Sequence, residues 1–266
     1  MNPPVAVVMA AGKGTRMKSE LPKVLIEVCG RPMIFYALEA LRRAGVQRLL
    51  VVVGYGADLV RQTLKNEAGV AFCEQREQLG TGHAAMMCRE DLAGHDGPVL
   101  VVAGDSPLMQ SDSIAALLRE YEGSMVFPPM QDKNQHGLEA HATGRPACIL
   151  GTGYRDNPAG LGRIVRDANR RFLGIVEEKD ATPQQREIRE VNLSCYVFDA
   201  KELLWSLARL ENRNAQGEYY ITDCPGILLG AGKEVRALDV LKPCEALSIN
   251  TPEELAAVEE YIRQHP

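Results

Sequence analysis

Hydrophobic residues in the first half of the chain form short continuous runs, and stretches with helical spacing separate these runs. Strands buried on both faces of a sheet are predicted at residues 5–9, 49–53, 70–73 and 99–103. Helices are predicted at residues 32–44, 57–67 and 80–91. This alternation predicts an α/β fold with a Rossmann-like, doubly wound, mostly parallel sheet that binds ligands at the carboxyl ends of its strands.

The pattern changes after residue 127. Residues 128–146 are polar and rich in proline and glycine, which is typical of a long surface loop, insertion or flap. Short β-type segments at residues 147–151, 163–165, 172–176 and 191–198 predict a smaller mixed-sheet lobe packed on the first half. Helices are predicted at residues 200–210, 220–229 and 252–263. The expected organisation is a single domain, with halves at 1–127 and 147–250 and a C-terminal helix within 251–266.

Composition and charge narrow the function classes. The 266 residues are 45% hydrophobic and 24% charged, which suits one large globular domain. The formal net charge of −5 argues against a protein that coats nucleic acid or an anionic membrane. No apolar run approaches the roughly 18 residues that cross a bilayer. The seven cysteines are scattered without Cys-x-x-Cys spacing, which indicates reduced thiols in the cytoplasm and no zinc site.

A glycine-rich, basic segment follows the first predicted strand directly: Ala10-Ala11-Gly12-Lys13-Gly14-Thr15-Arg16-Met17-Lys18. Its glycines let backbone N–H groups approach phosphate oxygens, and Lys23 adds a fourth cation nearby. The pattern predicts a polyanionic ligand such as a nucleoside triphosphate. A dinucleotide-binding motif needs glycine where Met17 stands, and a Walker loop needs four residues between its glycines. The remaining alternative is a tight surface turn with solvated charges.

Two further segments carry candidate chemistry. Asp105 comes just after a buried strand, where a carboxylate can share a hard cation with phosphate oxygens or can serve only as a turn or cap residue. Gln75 precedes Gln78-Leu79-Gly80-Thr81-Gly82-His83 at a strand-to-helix junction. A glutamine side chain both donates and accepts hydrogen bonds, so it can pair with the edge of a base. By itself this second segment is a weak indication.

Taken together, these segments resemble the sugar-nucleotide pyrophosphorylases. The matching segments keep their order over most of the chain, at residues 10–17, 22–23, 75–83, 104–108, 162–164, 176–181, 190–192 and 214–223. The glycine-rich segment alone is similar to the wider nucleotidyltransferase group. The blocks at 78–83 and 214–220 indicate the branch that transfers uridylyl groups to N-acetylglucosamine 1-phosphate.

The resemblance implies that the phosphate of a sugar 1-phosphate attacks the α-phosphorus of UTP and pyrophosphate leaves, with Mg²⁺ as cofactor. Nucleotide binding is implied for Ala10, Ala11, Gly12, Gly14, Gln75, Gly80 and Thr81. Stabilisation of charge during transfer is implied for Arg16 and Lys23. Metal binding is implied for Asp105 and Asn250, and sugar binding for Gly162, Glu177 and Asn192.

The sugar-binding half departs from the family pattern. Leu161 stands where a tyrosine usually precedes Gly-Arg-Ile, and Leu193 and Ser194 stand where Thr-Gly usually follows Asn192. Two alternatives therefore stay open: the same reaction on a glucose- or galactosamine-type sugar 1-phosphate, and a catalytically silent nucleotide-binding regulatory module. The hexapeptide repeat of the left-handed β-helix in two-domain members is not visible, so a monomer or weak oligomer is expected.

Overall fold

The computed structural model describes residues 2–17, 19–123, 145–247 and 249–265. Most of the predicted insertion at 128–146 lies outside these ranges, as does Lys18 of the glycine-rich segment. Within the described ranges, no helix combines the length and the apolar character that crossing a bilayer requires. All seven cysteines are free thiols, and only Cys29 is exposed, as the sequence pattern indicates.

The first half of the chain alternates strands with helices as predicted. Its strands are β1 (Val5–Ala10), β2 (Glu27–Val28), β3 (Arg31–Pro32), β4 (Arg48–Val53), β5 (Val70–Glu74) and β6 (Pro98–Ala103). Its helices are α1 (Met33–Arg43), α2 (Ala57–Thr63), α3 (Thr81–Met86), α4 (Arg89–Leu92) and α5 (Ser111–Tyr121). Single 3₁₀ turns at Thr15–Met17 and Lys23–Leu25 follow β1. The glycine-rich segment is thus an irregular loop between a buried strand and a short turn.

The second half contains the strands β7 (Cys148–Tyr154), β8 (Gly162–Arg166), β9 (Phe172–Val176), β10 (Glu190–Asp199) and β11 (Val235–Asp239). Its helices are α6 (Pro183–Arg186), α7 (Ala200–Leu207), α8 (Asp223–Gly230) and α9 (Pro252–Gln264), and a 3₁₀ turn spans Pro243–Ala246. Helix α9 begins as predicted, because the Thr251 side chain accepts a hydrogen bond from the Glu254 N–H and Pro252 occupies the first helical position.

The predicted doubly wound, mostly parallel sheet is confirmed. Seven strands lie in the order β11-β7-β10-β6-β1-β4-β5. The pairs β1–β4, β1–β6, β4–β5 and β7–β11 are parallel, and β10 runs antiparallel to both of its neighbours in this order. Strand order reverses around β1, so the carboxyl ends of β1 and β6 border the crevice in which such sheets bind ligands.

The strands of the second half, which the sequence pattern assigns to a smaller mixed β lobe, are joined to the central sheet. Strand β10 pairs with β6 over Cys195–Asp199 and with β7 on its other side, so the central sheet runs through both halves. Among the described strands of this sheet, only β8 and β9 leave the path, and they form a hairpin. The register of β10 shifts between Asn192 and Tyr196, and beyond this irregularity its first residues also pair with β8. The hairpin therefore stands beside the crevice.

Both faces of the sheet are covered by helices. Val7 of β1 packs with residues of α3, α7 and α8, and Val8 packs with residues of α1, α2 and α5 on the opposite face. A third cluster joins Met17, Val28 and Val258, so α9 packs against the segment that follows the glycine-rich loop. Burial of these apolar side chains fixes the loop and the C-terminal helix on the same side of the molecule.

Candidate active site

A cleft lies at the carboxyl ends of β1 and β6. It consists of two adjoining cavities of about 540 and 270 Å³. Both cavities are lined by Arg16, Asp105, Gly160, Ser194 and Asn250, so they form one continuous space. The larger cavity extends over the glycine-rich loop towards Gln75, and the smaller one extends towards Asn192. The cleft thus has the two compartments that a two-substrate reaction needs.

The glycine-rich loop closes onto Lys23. Gly14 has a φ of +66°, and a Cβ atom there would lie 2.8 Å from the Lys23 Cβ. The backbone N–H of Lys23 donates to the Gly12 carbonyl at 3.4 Å. A Cβ on Gly12 would meet no atom within 4 Å, so the backbone at this position is open to the cleft. Ala10 is buried beneath the loop, and Ala11 lines the larger cavity.

Four of the predicted site residues meet at the junction of the two cavities. The Lys23 Nζ atom lies 2.5 Å from the Asp105 Oδ2 atom and donates to the Asn250 Oδ1 atom at 2.9 Å. The Arg16 Nη2 atom also donates to Asn250 Oδ1, at 2.9 Å. The Lys23 side chain is 15% exposed, so its charge is partly shielded from water. Two cationic side chains and two side chains with accepting oxygen atoms therefore meet at one point of the cleft.

Local structure positions both oxygen donors. Asp105 follows Gly104, whose N–H donates to the Met9 carbonyl of β1 at 2.9 Å and whose missing side chain permits this close approach. Asn250 directly precedes the cap of α9, and its N–H donates to a Glu254 carboxylate oxygen at 2.6 Å. Residues 145 positions apart in the chain thus face each other across the cleft because the sheet and the C-terminal helix hold them there.

The Asp105 and Asn250 oxygens fit a magnesium ion. Both accept from the same ammonium group, so they converge on a single position that a cation can contact. Mg²⁺ prefers carboxylate and carbonyl oxygens and is commonly bound by one or two protein groups together with substrate phosphates. Among the described residues, no group of three or more His, Cys, Asp or Glu side chains forms a metal site. Water or substrate oxygens would complete the coordination of a metal held by Asp105 and Asn250.

The other end of the larger cavity is lined by Gln75, Gly80 and Thr81. Gln75 is buried, and its Nε2 atom donates to the Gly80 carbonyl at 3.0 Å and lies 3.1 Å from the His83 Nδ1 atom. Gly80 has a φ of +107°, and a Cβ atom there would lie 2.5 Å from the Tyr219 carbonyl oxygen. The Thr81 hydroxyl accepts from the Ile221 N–H at 3.1 Å. The structure therefore docks the segment at 78–83 on the segment at 218–221.

The three predicted sugar-binding residues also meet. Gly162 of β8 is the register partner of Asn192 in β10. A Cβ atom on Gly162 would lie 3.6 Å from both the Asn192 Cβ atom and the Glu177 Oε1 atom. Glu177 lines the larger cavity and Asn192 the smaller one. Gly162 itself lines neither cavity, and a Cβ atom there would lie 3.0 Å from the Ile175 Cγ2 atom, so the glycine permits close packing against β9.

The Glu177 carboxyl group lies in an unusual environment. Burial raises its pKa, and the negative charges of Asp223 and Asp180 raise it further. A hydrogen bond from the Thr222 hydroxyl to Glu177 Oε1, at 2.9 Å, opposes this increase in pKa, as does the charge of Arg163. The sequence pattern assigns no role to Thr222, and nothing local to residue 222 indicates that it contacts a residue 45 positions earlier.

Gln78 is a second cleft residue whose contact the sequence does not indicate. Its Nε2 atom donates to the Ala11 carbonyl at 2.9 Å, so it links the segment before α3 to the glycine-rich loop. Ser194, Gly160 and Glu218 also line the larger cavity. Each of these residues lies in a loop or at a strand irregularity, where hydrophobic periodicity carries no information.

Ser194 occupies a backbone conformation that favours glycine. Its φ is +54°, and its N–H donates to the Asn192 Oδ1 atom at 3.2 Å. We expect the Ser194→Gly variant to be more stable than Ser194→Ala by about 1 kcal/mol, because only glycine adopts this conformation without steric cost. Urea denaturation of both variants measures the difference. Equal free energies of unfolding for the two variants would contradict this explanation.

Comparisons with known proteins agree with this arrangement. The family model of the MobA-like NTP transferase domain matches residues 6–181. Curated proteins named bifunctional protein GlmU from Pelotomaculum thermopropionicum and Clostridium novyi are 42% and 41% identical to the chain over 97% of its length. These alignments cover 52% of each relative, so the chain spans about half the length of the curated relatives it matches.

A solved structure of a Bacillus anthracis protein described as a glucose-1-phosphate thymidylyltransferase superposes with a TM-score of 0.73. The superposition covers 99% of this chain and 96% of that one, at 19% sequence identity. At this level of identity the likeness concerns the fold. It shows that another solved protein shares the overall fold.

Proposed function

The chain belongs to the MobA-like NTP transferase family and is a nucleotidyltransferase, and from this premise we propose that it transfers the uridylyl group of UTP to N-acetylglucosamine 1-phosphate. The products are UDP-N-acetylglucosamine and pyrophosphate. The observation that carries the proposal is the meeting of Arg16, Lys23, Asp105 and Asn250 between a nucleotide compartment and a second compartment. The 42% sequence identity to a GlmU protein over 97% of the chain supports the choice of substrates.

In the proposed reaction a phosphate oxygen of the sugar 1-phosphate attacks the α-phosphorus of UTP. A new P–O bond forms, the bond between the α-phosphorus and the bridging oxygen breaks, and pyrophosphate leaves with that electron pair. Such transfer depends on alignment and on neutralisation of the phosphate charges. The loop backbone at Gly12 and Gly14 would hold the triphosphate, and Arg16 and Lys23 would stabilise the charge that develops around the α-phosphorus.

Asp105 and Asn250 would hold Mg²⁺, which when bound lowers the repulsion between the two substrates' phosphate groups. Gln75, Gly80 and Thr81 would hold uracil at the far end of the larger cavity. Glu177 would accept hydrogen bonds from the sugar hydroxyls, and Asn192 and Gly162 would contact the sugar beside it. The protein's own contribution is therefore to place two anionic substrates against each other beside the Arg16 and Lys23 cations.

A different sugar 1-phosphate is the second candidate for the same reaction. Leu161, Leu193 and Ser194, the residues that depart from the family pattern, all line the smaller cavity. Two apolar side chains in this compartment remove hydrogen-bonding partners that a polar residue would provide. A glucose- or galactosamine-type substrate would use the same cations and the same metal ligands.

Pyrophosphate release from UTP in the presence of Mg²⁺ tests the proposal. Parallel reactions contain N-acetylglucosamine 1-phosphate, glucose 1-phosphate, galactosamine 1-phosphate or no sugar. Release that requires N-acetylglucosamine 1-phosphate supports the proposed reaction, and release with another sugar alone favours the second candidate. Binding of UTP without release in any reaction would contradict both and favour a regulatory nucleotide-binding protein.

The Thr222→Val variant tests the role of Glu177 through pH dependence. The variant removes the hydrogen bond that opposes the raised pKa of Glu177, so this pKa rises further. Because the carboxylate is the form that accepts sugar hydroxyls, we expect kcat/KM for the sugar 1-phosphate to fall at a higher pH than in the wild type as the solution is acidified. The profile is measured at saturating UTP.

The same substrate is used with both enzymes, so the titration of its phosphate group, near pH 6, is common to the two profiles.

The raised pKa of Glu177 also makes the free energy of unfolding depend on pH. The sign of this dependence is opposite to that of an ordinary ion-paired carboxylate. A raised pKa means that the folded state binds a proton more tightly than the unfolded state, so the contribution of Glu177 to stability is lost as pH rises through its folded-state pKa. In the kinetic test, Glu177 is excluded as the titrating group if kcat/KM falls at the same pH in Thr222→Val as in the wild type.

A further inference from the structure

Arg163 is part of the Gly-Arg-Ile segment that the resemblance singles out, yet the proposed reaction gives it no role. It lies in β8 directly after Gly162, and only 1% of its surface is exposed. Among the fully buried side chains of the described residues, it belongs to the largest residue by volume. A buried guanidinium group is costly unless each of its donors has a partner. Its partners therefore indicate what the buried charge does.

The Arg163 guanidinium joins three separate segments around the cleft. Its Nη1 atom donates to the carbonyl oxygen of Leu161, in the loop that precedes β8. Its Nη2 atom forms an ion pair with the Glu178 Oε2 atom at 2.6 Å, just after β9. Its Nε and Nη2 atoms donate to the Arg186 carbonyl at the end of α6, at 3.4 and 3.3 Å. One side chain thus ties together a loop, a strand end and a helix end.

Glu178 extends this network to the neighbouring residue of the loop. Its Oε2 atom accepts from the Gly160 N–H at 3.2 Å. Partial burial alone would raise the pKa of Glu178, but the hydrogen bonds from Arg163 and Gly160 and the charges of Arg163 and Arg186 lower it below the ordinary value for glutamate. The carboxylate is therefore held in the charged form that anchors the loop.

The loop at residues 157–161 has few other connections. Among the described residues, the hydrogen bonds that join this loop to segments outside it are those from Arg163 to Leu161 and from Gly160 to Glu178. Gly160 and Leu161 line the cleft, and Gly160 lines both of its cavities. The position of this wall of the cleft therefore depends on Arg163 and its carboxylate partner.

Members of the same network are direct sequence neighbours of two candidate sugar-binding residues. Gly162 lies between Leu161 and Arg163, and Glu177 directly precedes Glu178. Arg163 lines neither cavity of the cleft, so its influence on a bound sugar passes through these neighbours. Movement of the guanidinium would displace the loop wall and the peptide that carries Glu177 at the same time.

We propose that Arg163, with Glu178, is a positioning residue for the sugar 1-phosphate compartment, and this inference rests on the proposed function. Among the described residues, the hydrogen bonds of the network reach neither Gly12 nor Gln75, which mark the nucleotide end of the larger cavity. Loss of the network is therefore expected to weaken the binding of the sugar 1-phosphate more than the binding of the nucleotide. A residue that only stabilised the fold would affect both substrates alike.

The test uses Arg163→Lys and Glu178→Gln in steady-state kinetics with each substrate varied in turn. A lysine can pair with Glu178 but cannot also reach the two carbonyl groups, and glutamine retains an oxygen for Gly160 while the ion pair is lost. We expect KM for the sugar 1-phosphate to rise about tenfold in both variants, a typical effect of removing a supporting contact. KM for the nucleotide is expected to stay within about twofold of the wild type.

Arg236→Lys is the matched control. Arg236 forms ion pairs with Glu234 and with the buried Glu120, at the β11 edge of the sheet, and it lines none of the cavities of the cleft. The control carries the same chemical change at a comparable ion pair, and thermal unfolding is recorded for every variant. A similar loss of thermal stability in Arg236→Lys without a change in KM would support the positioning role.

Amide hydrogen exchange provides a readout that needs no catalysis. We expect the Gly160 N–H to exchange faster in Arg163→Lys than in the wild type, because its acceptor is no longer fixed. Equal changes of KM for both substrates, or an unchanged Gly160 exchange rate, would overturn the inference. A wild-type protein that is inactive with UTP would overturn the proposed function instead, and the Gly160 exchange would still decide whether Arg163 positions the loop.

Discussion

Replacing Lys23 with alanine is expected to lower kcat by about a thousandfold, the upper range seen when a single charge-stabilising donor is removed from an active site. The Lys23 ammonium lies at the junction of the two cavities, where the transferred phosphoryl group would be, and it is largely shielded from solvent. KM for either substrate should change far less, because the glycine-rich loop and the sugar compartment are intact in the variant. Quenched-flow or steady-state pyrophosphate release measures the effect.

The free energy of unfolding should change by less than about 1 kcal/mol, since a partly exposed ion pair contributes little to stability. Lys242→Ala is the matched control, because Lys242 Nζ lies 2.5 Å from Asp112 Oδ2 in a more exposed pair that lines neither cavity of the cleft. The control should retain the wild-type rate. A Lys23→Ala enzyme with more than about a third of the wild-type kcat would show that Lys23 has no role in transfer.

The strands of the first half could be predicted because their hydrophobic pattern follows directly from their environment. Strands β1, β4 and β6 are continuous apolar runs, as burial on both faces requires, and the structure extends the predicted runs by at most one residue at each end. Strand β5 is also found where predicted, but it lies at the edge of the sheet and is mostly only partly buried. The start of α9 was equally clear, because the Thr251 and Glu254 side chains each accept from the other residue's backbone N–H within one helical turn.

Other elements depend on contacts that are distant in the chain. Helix α5 and strand β11 were not predicted, and the helix predicted at 80–91 is divided into α3 and α4. The position of β11 at the sheet edge comes from pairing with β7, more than 80 residues earlier. Periodicity describes only the exposure of a segment and does not show which strand it joins. For the same reason the sequence pattern did not indicate that β10 joins the central sheet between β6 and β7.

The candidate site shows the same division. Motif resemblance identified residues that the fold brings together, including Arg16 with Asn250 across 234 positions and Gly162 with Asn192 across two strands. It did not identify Thr222 or Gln78, whose hydrogen bonds to Glu177 and Ala11 join distant segments. These supporting contacts follow from tertiary packing, so they become visible only when the backbone is in place.

The Asp105→Asn variant provides the second large effect, and it tests the metal ligands. Asparagine keeps the shape of the side chain and one oxygen donor but removes the negative charge that a divalent cation requires. We expect kcat to fall by about a hundredfold to a thousandfold at ordinary Mg²⁺ concentration. The concentration of Mg²⁺ that gives half-maximal rate should increase by at least about tenfold. In the variant both protein ligands, the introduced amide in place of Asp105 and the native Asn250, are neutral amide oxygens, so no negative charge attracts the cation.

This Mg²⁺ dependence separates a metal ligand from a partner that only orients Lys23. The Lys23 Nζ atom lies close to Asp105 Oδ2 and also donates to Asn250, so Asp105→Asn removes an ion pair of the ammonium while an amide oxygen is still present to accept from it. If Asp105 acted only through Lys23, Asp105→Asn would lower kcat with no change in the half-maximal Mg²⁺ concentration. Asp112→Asn, which changes the exposed pair with Lys242, should leave both quantities at the wild-type value. A rate loss that high Mg²⁺ partly reverses in Asp105→Asn alone would therefore assign the carboxylate to the metal.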